Sequence, residues 1–267
     1  MEKCEEDIQP VIDVSAYTGN WHFRPLPGST PQDLLARLNA HGIEQAFVSP
    51  IEGIFYDEPQ LANEMLCEKL RDFPSLMPVA VLNPDLPNWQ RNLDICCEKY
   101  RVRAIKLYPN YHRYNLNSEK ARSLLKAADE RNMPVIVQLR VQDVRAQNPL
   151  CIVPDVDVRS VIEAAHDIPY TRFVIGAIKW AEAISMAKEI TELPNVWMEI
   201  SHVEYTDCLR RLIKIYGTRQ LLFATHAPFF VIKSAILKLQ EADLSGDEYN
   251  AITRDNARTA FDLCRGK

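Results

Sequence analysis

The sequence is poor in the residues that phosphate-cradling enzymes need. Only eight of 267 residues are glycine. None of them builds a Gly-x-Gly-x-x-Gly turn, a Walker loop or a Gly-x-Ser-x-Gly elbow, which removes the usual dinucleotide, nucleotide and serine-hydrolase signatures. The seven cysteines are an odd set without Cys-x-x-Cys spacing. Most, such as Cys67, Cys96 and Cys208, lie in apolar helical patterns, so free thiols in a reducing cytoplasm are expected rather than a disulfide framework. No run approaches the roughly 18 apolar residues of a membrane helix. The first residues, Met-Glu-Lys-Cys-Glu-Glu-Asp, are acidic and lack an apolar signal core. With 31 basic against 36 acidic residues, a net charge of −5, the chain has no overall basic field. Nucleic acid and anionic membrane are therefore not expected partners, whereas a small molecule is.

What the chain does have is one unit repeated: a short apolar run, a polar loop, then an amphipathic helix. That alternation predicts a parallel sheet with helices outside it. The runs read as strands are Val11–Tyr17, Gln45–Ser49, Met77–Leu82, Ala104–Tyr108, Val135–Leu139, Phe173–Ala177, Val196–Ser201 and Leu221–Thr225. Helix signals separate them. Thr30-Pro31-Gln32-Asp33 supplies a cap, a first-turn proline and an acid, and Ser118 and Asp157 can cap later helices. Ser245-Gly246-Asp247-Glu248 is a capping-box pattern opening a last helix through Phe261. Eight strands alternating with helical regions predict a (β/α)8 TIM barrel, with a doubly wound open sheet as the alternative. At this length one domain, 1–267, is expected, with residues 1–10 as an N-terminal extension. The connections after strands are longer than those after helices, and in barrels that face carries the active site.

Candidate site residues are read at the strand ends. Leu221-Leu222-Phe223-Ala224 is a buried strand that delivers Thr225 and His226 to the mouth. Strand one offers Asp13, Ser15 and Tyr17, strand four Lys106 and Tyr108, strand five Gln138 and Arg140, and strand seven Glu199, Ser201 and His202. A lysine between Ile105 and Leu107 is no solvated surface charge: it either pairs with a carboxylate such as Asp13 or Glu199, or faces the pocket. His22 and His112 fall in aromatic loops. Arg24, Arg113, Arg140 and Arg145 fall on the same face, where guanidinium groups suit carboxylate recognition.

From Val11 to Leu263 the chain resembles the amidohydrolase superfamily, in its amidohydrolase-related branch of metal-dependent hydrolases and decarboxylases. The resemblance is carried by Val-Ile-Asp-Val-Ser-Ala-Tyr, Arg-Ala-Ile-Lys-Leu-Tyr-Pro, Leu-Leu-Phe-Ala-Thr-His-Ala-Pro and the closing Ile-Thr-Arg-Asp-Asn-Ala-Arg-Thr-Ala-Phe-Asp-Leu, in that order. It implies a divalent metal held by a His-x-His on strand one, histidines after strands five and six, and an aspartate on strand eight. The matching positions here are Ser15 and Tyr17, Gln138, Ala177, and His226. All differ from the pattern, so the expectation is a site with no metal and no other cofactor. Zinc is the fallback if His226, His202 and His112 or His22 converge with Glu199. The expected chemistry is acid/base work on a small, anionic metabolite, hydrolytic or lytic. His226 would be the general base, Lys106 would stabilise negative charge, and Tyr17 would complete the catalytic set. Ser15, Gln138, Arg140, His112, Tyr108, His22, Glu199 and His202 would bind substrate. The alternative is an inactive barrel that binds a metabolite or partner, and a homo-oligomer is compatible with either reading.

Overall fold

The computed structural model describes residues 10–263. The expected N-terminal extension, 1–10, therefore lies outside the described residues except for Pro10. Eight strands form one all-parallel sheet in sequence order. They are β1 (Val11–Thr18), β2 (Ile43–Pro50), β3 (Leu76–Val81), β4 (Ala104–Leu107), β5 (Val135–Gln138), β6 (Phe173–Gly176), β7 (Val196–Glu199) and β8 (Leu221–Leu222). The helices before the fifth strand are α1 (Pro31–Asn39), α2 (Pro59–Leu70), α3 (Trp89–Glu98) and α4 (Glu119–Glu130). Those after it are α5 (Val158–Asp167), α6 (Trp180–Ser185), α7 (Ala187–Glu192), α8 (Cys208–Tyr216), α9 (Ile232–Glu241), α10 (Gly246–Asn250) and α11 (Asn256–Ala260). The fold is the (β/α)8 barrel, and every expected strand is present.

The caps form as the sequence suggested. The Thr30 hydroxyl accepts from the Asp33 amide at 3.2 Å ahead of Pro31, and Ser245 and Glu248 bond each other's backbones at 3.2 and 2.9 Å. The last helix differs from the single helix expected: a π-helical segment, Ala251–Asp255, separates α10 from α11.

Strand periodicity divides the barrel into layers. Residues facing the helices, among them Ile105, Val135, Val137, Phe173, Ile175 and Met198, form the large outer core. Inside, Ile12, Val14, Phe47, Val79, Ala104, Ile136, Val174, Trp197 and Leu222 fill the lower barrel, and α11 plugs it with Ala257, Ala260 and Phe261. Phe261 packs against Phe47 with ring centroids 4.0 Å apart and planes tilted by 32°. Two residues further along each strand the inward positions turn polar. Ala104 gives way to Lys106, Ile136 to Gln138 and Trp197 to Glu199, and all three polar side chains are buried. Gly176 takes the matching place on β6, where a Cβ would come within 2.5 Å of the Gln138 side-chain oxygen.

The barrel closes between β8 and β1. The amides of Val14, Tyr17 and His226 donate to the carbonyls of Phe223, Ala227 and Ser15 at 3.1, 2.8 and 2.9 Å. Asp13 reinforces this seam. Its Oδ1 accepts from the amides of Ser15 and Thr225, each at 3.0 Å, and its Oδ2 from the Thr225 hydroxyl. Burial outweighs those bonds and raises its pKa from 3.8 to about 6.

Replacing Asp13 with Ala leaves the buried Thr225 amide and hydroxyl without an acceptor, and such losses cost about 3 kcal/mol in sum. Asp13→Asn keeps an oxygen for the two amides and turns its NH2 to Thr225. Urea denaturation should show a large loss for Asp13→Ala and a small one for Asp13→Asn. Equal losses would remove the seam from this role.

Candidate active site

The polar layer at the C-terminal mouth has two halves. On one side, the Lys106 ammonium donates to the Tyr17 hydroxyl at 3.1 Å and the Ser15 hydroxyl at 3.4 Å. These partners are hydroxyls, so the pairing with a carboxylate allowed by the sequence is not what holds the lysine. Burial pulls Lys106 from 10.5 to about 7, with the charges of Glu199 and Asp13 opposing the shift. The same burial raises the Tyr17 phenol, which stays protonated, and raises neighbouring Tyr108 well above 10.

The other half is built by β7 and β8. Glu199 bridges two strand ends: it accepts from the Ala177 amide, from the Ser201 amide at 2.7 Å and from the Ser201 hydroxyl at 3.0 Å. Ser201 in turn lies 3.0 Å from His202 Nδ1. The His226 Nε2 meets the Val141 carbonyl at 2.7 Å, and its ring stands at 87° to that of His202 with centroids 4.6 Å apart. His226 adopts the left-handed conformation at φ 55°, as does Ala177 at φ 59°. Such backbones cost about 1–3 kcal/mol at non-glycine residues and persist where surrounding contacts impose them. Here the Ser15 carbonyl and the Val141 carbonyl hold His226 at both ends.

An aromatic roof seals the mouth. Trp21, Phe55, Tyr111 and Phe229 pack above Tyr17 and Tyr108. Phe229 contacts Tyr17, Trp21 and His226 at centroid distances of 5.3, 5.0 and 5.4 Å. Lys106, Tyr17, Tyr108, Gln138, Glu199 and His226 are all 0% exposed.

The structure sorts the candidates from the sequence. Lys106, Tyr17, Ser15, Tyr108, Gln138, Glu199, His202 and His226 share the mouth. His22 does not: it is exposed on the roof against Phe55, 5.5 Å between centroids. His112 Nε2 meets the Gly53 carbonyl at 3.0 Å, away from the other imidazoles. Arg140 is taken up by the protein itself. Its guanidinium bonds both oxygens of Glu182 and the Ala177 carbonyl, and pairs with Asp155 at 2.9 Å, so it is not free to recognise a substrate carboxylate. Arg145 is exposed and paired with Asp143 at 2.7 Å. The role expected of His226 also changes. Burial is the main force pulling its pKa to about 3, so near neutrality the ring is a fixed lone-pair donor and a weak general base.

The expectation of a site without metal is corrected. Glu199, His202 and His226 bring their ligand atoms within 4.8 Å of one another. Moreover, His202 Nε2 and His226 Nδ1 are buried without a hydrogen-bond partner. Two unpartnered imidazole nitrogens beside a carboxylate are a donor set that fits a divalent cation. The convergence expected only as a fallback requires several loops to cooperate, and strand spacing does not reveal that His202, three residues past Glu199, turns back toward β8. Ser201 was among the strand-seven candidates but without a role, and nothing in the spacing marks Phe229 as part of the roof.

A (β/α)8 barrel whose mouth gathers buried ionisable groups is an enzyme scaffold. The chain belongs to the amidohydrolase family, whose model matches residues 19–263, and it is an enzyme of the hydrolase or lyase kind. Solved structures similar to it include a 2,6-dihydroxybenzoate decarboxylase complexed with 2,6-dihydroxybenzoate, at 15% identity and TM-score 0.78, covering 96% of this chain and 100% of that one. A dihydroxybenzoic acid decarboxylase from Polaromonas sp. with bound manganese and 2-nitroresorcinol has 16% identity, TM-score 0.78 and coverage of 97% and 98%. A 5-carboxyvanillate decarboxylase from Novosphingobium aromaticivorans, also with manganese, has 12% identity, TM-score 0.74 and coverage of 97% and 98%. The two manganese-bound structures bear on the correction in the same direction as the cluster. No curated protein matches the chain. Among the described residues no helix is long and apolar enough to cross a membrane.

Lys106 gives a stability test. Unfolded lysine keeps its proton to about pH 10.4, whereas folded Lys106 loses it through about 7. Between those values the unfolded chain binds more protons, so this residue's contribution makes stability rise with pH. Lys106→Met should remove the rise and, at pH 6, stabilise the fold by about 1–3 kcal/mol, as apolar replacement of a buried charge often does. Urea midpoints from pH 6 to 9 check this; a Met variant that is less stable throughout would mark Lys106 as structural.

Proposed function

We propose that this enzyme is a lyase that removes the carboxyl group from a small aromatic acid, with Lys106 as the proton donor. The observation that carries the reading is Lys106: a buried ammonium tuned to about 7, held by two hydroxyls under an aromatic roof. Hydrolysis needs a water at the reacting carbon, and mouth groups buried beneath Trp21, Phe55 and Phe229 favour chemistry that needs none. Decarboxylation of an aromatic ring needs a proton instead. The bond from ring to carboxylate breaks, carbon dioxide leaves, and the electron pair remaining on the ring carbon takes a proton from the Lys106 ammonium. Lysine recovers its proton from solvent when the roof opens.

The remaining mouth groups bind and orient. Tyr17, protonated and accepting from Lys106, can turn its own hydrogen to a substrate oxygen in place of Ser15 or Tyr108. Ser15 holds the ammonium from the other side. Gln138 donates to the Arg140 carbonyl at 2.7 Å, while its side-chain oxygen is buried without a partner and can accept from a ring hydroxyl. Glu199, His202 and His226 would hold the cation, which when bound supplies positive charge for the anionic oxygens of the substrate. The roof rings match a planar ligand, whose faces pack edge-on or offset against them. The similarity to aromatic acid decarboxylases supports the reading. A cytoplasmic location fits its free cysteines, Cys67, Cys96, Cys97, Cys151 and Cys208.

Dihydroxybenzoates and 5-carboxyvanillate, incubated with manganese-supplied protein in D2O, should lose carbon dioxide and gain one ring deuterium. Lys106→Met should lower kcat about 100-fold or more, and wild-type kcat should fall as pH rises through about 7, where the donor loses its proton. Incorporation of oxygen from labelled water into the product would replace the lyase reading with hydrolysis, and full activity of Lys106→Met would remove the lysine from the mechanism.

A further inference from the structure

We infer that a cleft outside the mouth, between α1 and the β8–α9 connection, is an effector site for a small organic carboxylate whose binding braces the aromatic roof. The cleft has a volume of about 420 Å³, and small-molecule sites typically offer about 300–1,000 Å³. None of Lys106, Tyr17, Glu199, His202 and His226 lines it. It is therefore separate from the mouth and does not depend on the decarboxylation proposed above.

The rim of the cleft is cationic. Arg24 reaches it from the β1–α1 connection, Arg37 from the last turn of α1 and His41 from just beyond that helix, and no acidic side chain lines it. Arg140 and Arg145 are consumed by carboxylates of the protein, but among the described residues neither the Arg24 nor the Arg37 guanidinium has an ion-pair or hydrogen-bond partner. In a chain with 36 acidic against 31 basic residues, two unpaired guanidiniums share one concave place. Gly28, at φ 80°, makes room for one of them, because a Cβ there would come 2.9 Å from Arg37 Cδ. The floor is apolar: Leu34, Ala227, Phe229 and Ile232 line the cleft and are buried.

Rim and floor together select the ligand. A carboxylate accepts paired hydrogen bonds from a guanidinium, and an imidazole carries an N–H in either tautomer. The apolar body of an organic acid then covers the floor. Inorganic phosphate would use the rim alone, and a neutral aromatic molecule the floor alone.

Two rings of the cleft also cover the mouth. Phe229 packs on Tyr17, Trp21 and His226, and Phe230 lies 4.6 Å from His202 and 5.2 Å from His226 between centroids. Arg24 lies between Phe23 and Leu26 in the chain, and both belong to the same roof. A ligand held by Arg24 and packed on Phe229 thus ties together the two connections that supply the roof over Tyr17.

The probes are naphthoate, naphthamide and inorganic phosphate, titrated into the full chain by calorimetry. Naphthoate should bind the cleft, and naphthamide and phosphate should each bind at least about 10-fold more weakly. Arg37→Gln and Arg24→Gln should each weaken naphthoate about 10-fold, with Arg37→Lys losing less. Ala40→Trp, which fills the cleft without changing charge, should abolish binding there while circular dichroism shows the fold intact. The amides of Phe229 and Phe230, which donate to the His226 carbonyl at 3.0 and 3.2 Å, should exchange hydrogen several-fold more slowly with naphthoate bound. No binding of naphthoate at millimolar concentration, binding indifferent to Arg37→Gln and Ala40→Trp, or equal binding of naphthamide or phosphate overturns the site. Unchanged exchange at Phe229 and Phe230 with naphthoate bound overturns the bracing.

Discussion

The mouth of this barrel depends on a fully buried carboxylate. Asp13 joins β1 to β8 by accepting from Ser15 and from both the amide and hydroxyl of Thr225. Ser15 and Tyr17, which carry the Lys106 ammonium, lie immediately beyond it on one strand. His226 lies immediately beyond Thr225 on the other. A single buried group thus helps set the distance between the two halves of the site, beside a strand, β8, that has only two residues in regular strand conformation.

The two halves show how burial can tune like surroundings to different ends. Lys106 and His226 are both basic groups taken out of water, and both are pushed toward their neutral forms. The lysine starts from 10.5 and arrives at about 7, where it can give and take a proton; the histidine starts from 6.5 and arrives at about 3, where it cannot. One desolvation therefore makes a proton donor of the first and a permanent lone-pair donor of the second. Glu199 complements this by being held at the ends of β6 and β7 by the Ala177 and Ser201 amides and the Ser201 hydroxyl.

Beside the mouth, a second set of charges serves architecture. Arg140 ties the long β5–α5 connection down through Asp155 and Glu182, and Lys179 extends the set to Asp155 and Asp143 at 3.1 and 3.3 Å. This network consumes the guanidinium that composition alone would assign to a carboxylate substrate. The anionic substrate proposed above would be met instead in the interior, where fewer charges act in a drier and more strongly coupling environment.

Periodicity, caps and loop lengths were enough to determine the eight-strand barrel, its strands and the end that carries the site. Those signals are local, and each residue's neighbours in sequence set its hydrophobic environment. Lys106, Gln138 and Glu199 were legible as buried polar interruptions for the same reason. Partnership was not legible. That Arg140 belongs to Glu182, that His112 and His22 stay outside, that Ser201 turns His202 toward His226, and that Phe229 roofs the pocket all follow from contacts between segments far apart in the chain. Those contacts arise only when β8 returns to β1, because hydrogen-bond direction and the position of a lone pair are set by atoms in space, which residue spacing does not encode.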